Sequence, residues 1–185
     1  PRRRAPRPRG HSMRLLLLRH GIAQDIGPAT GHRDAPRALT PEGAERMRAA
    51  ARGMRALGVA PGVLLTSPLV RCRQTAEIVG EALGLAPRED DRLRPGMDLD
   101  AVADALLEHP GAEAVMLCGH QPDLSEVAAD LTGGGMMEFK KGALAVLEVR
   151  APRHAGGHLC ALYPPAALRA LAAADAEGVS SSPRR

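Results

Sequence analysis

The chain has 185 residues, 44% of them apolar and 25% charged, an ordinary balance for one globular domain that sets aside collagen-like, disordered and membrane-spanning readings for its bulk. The formal net charge of +4 sits at the ends: Arg2, Arg3, Arg4, Arg7 and Arg9 precede Met13, Arg184 and Arg185 close the chain, and the stretch between is left at about −3. Phe139 and Tyr163 are the only aromatic side chains, so the stacking platform of a single-strand binder is missing and nucleic acid is not an expected partner.

Residues 1–12 read as a disordered basic arm, an expression remnant or an upstream extension, with Met13 as the native start. No apolar h-region follows them, and the first strongly apolar run, Leu15 to Leu18, is far short of the roughly 20 residues that span a bilayer. A single domain is expected over 13–175, with 176–185 as a flexible tail. Arg14 to Leu18 reads as a buried strand that ends at Arg19-His20-Gly21. A long polar loop follows, then Thr40-Pro41-Glu42-Gly43 opens a helix in which Ala44, Met47, Ala51, Met54 and Leu57 recur at helical spacing. Val63 to Thr66 is a second strand, stopped by Ser67-Pro68, and a helix runs from about Val70 to Leu83. Asp98 caps a helix toward His109, Ala114 to Cys118 is a third strand, and Asp123 to Leu131 is a short helix. Strands near Ala143 to Val149 and Leu159 to Tyr163 precede an Ala-rich helix. The alternation predicts an α/β domain.

Three strand ends deliver polar residues into the next turn: Arg19 and His20, then Ser67 with Arg71 just beyond, then His120. Ligands of open α/β sheets bind outside the carboxyl ends of the strands, so these side chains are candidates for one pocket. Histidines and arginines together suit phosphoryl transfer. Guanidinium donors stabilise the charge spread over the equatorial oxygens, and a neutral imidazole can carry the phosphoryl group covalently. Nearby arginines disfavour protonation of that imidazole. This chemistry calls for no metal and no cofactor. Cys72, Cys118 and Cys160 form no CxxC pair and read as reduced cytosolic thiols.

The ordered set Leu18-Arg19-His20-Gly21-Ile22-Ala23, Arg37-Ala38-Leu39-Thr40-Pro41-Glu42-Gly43, Ser67-Pro68-Leu69-Val70-Arg71 with Gln74-Thr75-Ala76, and Gly119-His120-Gln121-Pro122 resembles the histidine phosphatase superfamily, grouped with the phosphoglycerate mutases. The small branch of SixA-type phosphohistidine phosphatases is the nearest in pattern. The resemblance runs from Arg14 to about Pro164. It implies a three-layer α/β/α sandwich around a mostly parallel sheet, with His20 as the nucleophile, Arg19 and Arg71 as the phosphoryl clamp, His120 as the second pocket histidine and Arg37 as a further phosphate contact.

Phosphoester-cleaving members of that family usually carry an acid between the second arginine and the second histidine. Here that interval holds Glu89, Asp90 and Asp91, and Arg92 stands where many relatives have the Glu of Glu-Leu-x-Pro. An alkoxide needs a general acid more than an imidazole leaving group does, because the imidazole can be protonated beforehand. The short interval between Arg71 and His120 also leaves little chain to roof the pocket. The expected activity is a cytoplasmic, metal-independent phosphatase acting on phosphohistidine in a signalling or phosphotransfer protein. A broad small-molecule phosphomonoesterase using one of the three acids and a phosphate-binding module with weak turnover are the alternatives.

Overall fold

The computed structural model describes residues 12–180, with side chains to 176. The expected basic arm therefore lies, apart from Ser12, outside the described residues, as does the end of the expected tail. Strands β1 (Met13–Arg19), β2 (Val63–Thr66), β3 (Arg88–Glu89), β4 (Ala114–Gly119), β5 (Leu144–Val149) and β6 (Gly157–Tyr163) form one sheet in the order β3-β2-β4-β1-β5-β6. The first four in that order are mutually parallel, and β5 and β6 continue the sheet antiparallel from β1. Helices α1 (Pro41–Ala56), α2 (Val70–Leu83) and α5 (Pro165–Ser180) cover one face, and α3 (Leu99–Leu107) and α4 (Asp123–Thr132) cover the other. Helix α5 continues past the domain boundary expected at 175.

The central strands are apolar without interruption because each faces a helical layer on both sides. Along β1, Leu15 and Leu17 enter the core beneath α3 and α4, while Leu16 and Leu18 enter the core beneath α1, α2 and α5. Every residue of β4, at the middle of the sheet, is buried. The helix ends follow local chemistry: Thr40 accepts from Gly43 N at 2.9 Å and Asp98 accepts from Ala101 N at 2.8 Å, each satisfying an amide that the first helical turn leaves without a partner.

Parallel pairing fixes the position of the strand ends. Arg19 is opposite Gly119 and Thr66 is opposite Cys118, so β1, β4 and β2 terminate side by side. His20 N donates to Gly119 O at 3.2 Å and Ser67 N to Cys118 O at 3.0 Å, which carries the register one residue beyond the strands. Among the described residues no helix is long and apolar enough to cross a membrane.

Candidate active site

His20, Ser67 and His120 thus leave three adjacent parallel strands at one edge of the sheet, and Arg71 reaches them from the first turn of α2. Arg71 is almost wholly buried and donates to each neighbour: Nε to His20 Nε2 at 3.2 Å, Nη2 to His120 Nδ1 at 3.1 Å. Because a guanidinium only donates, both contacted ring nitrogens are acceptors, and this sets the tautomers. His20 carries its proton on Nδ1, which donates to Gly21 O at 2.8 Å. His120 carries its proton on Nε2, which donates to Ser67 Oγ at 2.8 Å. The two rings lie 5.5 Å apart between centroids.

A cation in the first turn of a helix opposes the helix dipole, so Arg71 has to be held by other groups. Thr75, one turn on and fully buried, does part of this. Its hydroxyl donates to Arg71 O at 2.6 Å and accepts from Gly21 N at 3.0 Å, tying α2 to the turn that carries His20. The rest comes from the loop after β1. Asp34 Oδ2 accepts from Arg71 Nη2 at 2.9 Å, and its carbonyl oxygen accepts from Arg71 Nη1 at 3.1 Å.

Burial holds His20 far below an ordinary imidazole, at about 3. The bond to Gly21 O opposes the shift, and the charges of Arg71, His120 and Arg19 reinforce it. The ring is therefore neutral at physiological pH, with its lone pair on Nε2, where it accepts from Arg71 Nε. Arg19, the last residue of β1, donates from Nη1 to Phe139 O at 2.6 Å. Its Nε is one of two buried side-chain donors without a partner among the described residues, the other being Arg73 Nε. A buried donor beside a histidine pocket suits an oxyanion acceptor.

Comparison with known proteins places this geometry. The family description "Histidine phosphatase superfamily (branch 1)" matches residues 15–96. The chain is 42% identical over 127 residues to an uncharacterized protein of Picosynechococcus sp., spanning 66% of this chain and 74% of that one. It is 30% identical over 126 residues to the phosphohistidine phosphatase SixA of Escherichia coli, spanning 66% of this chain and 76% of the relative. The chain belongs to the histidine phosphatase superfamily. Its fold superposes on the protein histidine phosphatase SixA solved with tungstate at a TM-score of 0.74 and 27% identity, over 84% of this chain and 99% of that one. The alpha-ribazole phosphatase of Shigella flexneri shares the fold at a TM-score of 0.66 with 18% identity, over 83% and 97% of the two chains.

As a member of this superfamily the chain is a phosphatase with a histidine nucleophile. Of the candidate residues, His20, Arg71 and His120 are directly hydrogen bonded, and Arg19 adjoins them. Arg37 stands one step away: its Nη1 donates to Asp34 Oδ1 at 2.9 Å, so it joins the group through that carboxylate. Glu89, Asp90 and Asp91 are each paired with an arginine, to Arg73 at 3.3 Å, Arg92 at 2.6 Å and Arg94 at 2.8 Å respectively. Hydrogen bonds from Arg92 hold the Asp90 carboxyl below its ordinary range.

Two acids near the candidate residues were not among the sequence candidates. Asp34 is one, and its only sequence signal was its place three residues before Arg37 in a long polar loop. Glu138, whose charge opposes the lowering of the Arg19 pKa by burial, is the other. Cys72 Sγ lies 3.6 Å from His120 Nε2, but burial raises its thiol well above the ordinary range, which leaves it a packing group. Among the described residues, metal-ligating donors gather only at Glu148, His158 and Cys160, on the β5–β6 hairpin. None of these belongs to the histidine pocket.

Proposed function

We propose that the chain is a protein phosphohistidine phosphatase in which His20 is the nucleophile, Arg19 and Arg71 clamp the phosphoryl oxygens, His120 stabilises the transition state, and Arg37 supports the clamp. The observation that carries the proposal is a neutral His20 joined through Arg71 to His120, with Asp34, Glu89, Asp90 and Asp91 each engaged by an arginine. In the first step Nε2 of His20 attacks phosphorus and the P–N bond to the substrate imidazole breaks. That imidazole leaves with a proton taken from solvent, so no protonated carboxyl is required. In the second step water attacks the phosphorus of phospho-His20, and the P–N bond to His20 breaks to release inorganic phosphate.

A substrate displayed on another protein suits the surroundings. A groove of about 680 Å³ starts at Gln121 and Pro122, beside His120, and is lined further by Met136 and Met137, with Glu126 and Glu138 also on its wall. Met136 is fully exposed on its rim. An apolar helix face next to a phosphohistidine would cover this groove while its phosphoryl group entered the pocket. The E. coli relative, named a phosphohistidine phosphatase, supports the same reading. A cytoplasmic location goes with it, in keeping with three free cysteines.

The test is phosphate release, with EDTA present, from a phosphohistidine-bearing protein domain and from p-nitrophenyl phosphate side by side. The domain is expected to be preferred by about a hundredfold or more in kcat/KM, and His20→Ala to lower turnover by about a thousandfold or more. Comparable turnover of the ester would overturn the substrate class. Activity surviving in His20→Ala would overturn the mechanism.

A further inference from the structure

Asp34 already occupies the clamp. Its two carboxylate oxygens take one hydrogen bond from Arg37 and one from Arg71, both at 2.9 Å, which is the way a planar oxyanion meets a pair of guanidinium forks. At the same time Arg71 Nε caps the lone pair of His20 Nε2. One guanidinium, Arg71, is therefore engaged twice at rest: by the Asp34 carboxylate and by the lone pair of the nucleophile.

Resting on the phosphoryl-pocket reading above, we propose that Asp34 is an internal stand-in for phosphate, which substrate must displace and which returns to expel the product. Three observations set this apart from a loop-building role. The Asp34 carboxylate bonds to no backbone amide among the described residues, so it supports no turn of its own. The loop is held without it, by Gln24 N to Ala38 O at 2.8 Å, Leu39 N to Gln74 Oε1 at 2.7 Å and the bridge between Ala23 and Leu39. The Asp34 side chain is 42% exposed whereas that of Arg71 is 5% exposed, so the carboxylate has solvent to move into and the guanidinium does not.

The consequence is a uniform tax on ground-state anion binding. A ligand that must first empty the clamp binds with its intrinsic affinity multiplied by the fraction of time the clamp is open. For a hydrolase this works in the direction of turnover, because the product, inorganic phosphate, carries the same oxygens that the clamp holds in the substrate.

Inorganic phosphate itself is the probe. Its dissociation constant is measured by titration calorimetry on the full chain for wild type, Asp34→Asn and Asp34→Ala. Glu45→Gln serves as a charge control, since it removes one negative charge from an exposed ion pair on α1. The expected result is phosphate binding about three- to tenfold tighter in both Asp34 variants, a matching fall in the inhibition constant of phosphate, and no change in the control. A purely structural Asp34 gives the opposite sign, since loosened guanidinium groups bind phosphate more weakly. Affinity equal to or weaker than wild type in folded Asp34→Asn and Asp34→Ala therefore overturns the proposal while leaving the pocket reading intact. If phosphate binds neither wild type nor any variant, the pocket reading fails and the Asp34 proposal with it. Should Asp34→Asn fail to fold, Asp34→Ala decides alone, and failure of both to fold refutes the claim that the loop stands without the carboxylate.

Discussion

Burial, reinforced by two arginines and a second histidine, keeps His20 neutral, and this makes the pH behaviour of the protein distinctive. An ordinary imidazole would lose its nucleophilic lone pair as pH falls through 6.5, whereas here that loss is displaced toward pH 3. The kcat/KM profile, corrected for titration of the substrate, is accordingly expected to show no acid limb near 6.5. Stability behaves differently in the same window. Between 6.5 and about 3 the unfolded chain binds a proton that the folded site refuses, so folding weakens as pH is lowered, by up to roughly 5 kcal/mol from this group. Urea titrations of wild type and His20→Gln across this range would check it, since the substituted chain should lose that part of the pH slope. A His20→Gln chain with the full wild-type slope would assign the acid sensitivity to other groups.

At the scale of elements, glycine marks where α1 comes too close to its neighbours for a side chain. A Cβ on Gly43 would stand 2.0 Å from Ile22 O, and one on Gly53 would stand 1.8 Å from Leu168 O. Helical glycine costs about 1 kcal/mol relative to alanine, so both positions trade intrinsic helix stability for close approach. They differ in what they approach. Gly53 packs against α5, away from the pocket, and Gly43 packs against the turn that follows His20. Gly53→Ala is expected to lower stability by about 1–3 kcal/mol with activity retained in the folded fraction. Gly43→Ala should cost a similar amount and also lower kcat, because Ile22 can yield only by moving the chain that carries His20. Thermal melts paired with active-site-normalised rates distinguish the two; equal kcat losses would show that the disturbance spreads through α1.

At the scale of the whole molecule, the apolar groove beside His120 separates protein from small-molecule substrates. Met136→Glu places a charge on its rim and is expected to reduce kcat/KM on the phosphohistidine domain about tenfold while leaving p-nitrophenyl phosphate hydrolysis unchanged. Equal effects on both substrates would remove the groove from recognition.

Much of the fold was legible in the sequence because its central strands are apolar on both faces and α1 and α3 carry side-chain N-caps. Val63–Thr66 and Val70–Leu83 stand where the periodicity placed them. Strand β3 was not legible: Arg88 and Glu89 are two exposed charged residues with no apolar signal, and they are a strand only because β2 offers them a free edge. The sequence by itself determined the family, the succession of elements and the residue types of the pocket, since periodicity, capping and ordered motifs are local properties of a chain. The order β3-β2-β4-β1-β5-β6, the meeting of His20, Arg71 and His120, and the seating of Asp34 between two arginines were decided only by tertiary structure. Each of these depends on register between segments distant in sequence. In a loop, where no burial pattern constrains the side chains, an acid that fills a clamp reads the same as one that faces water.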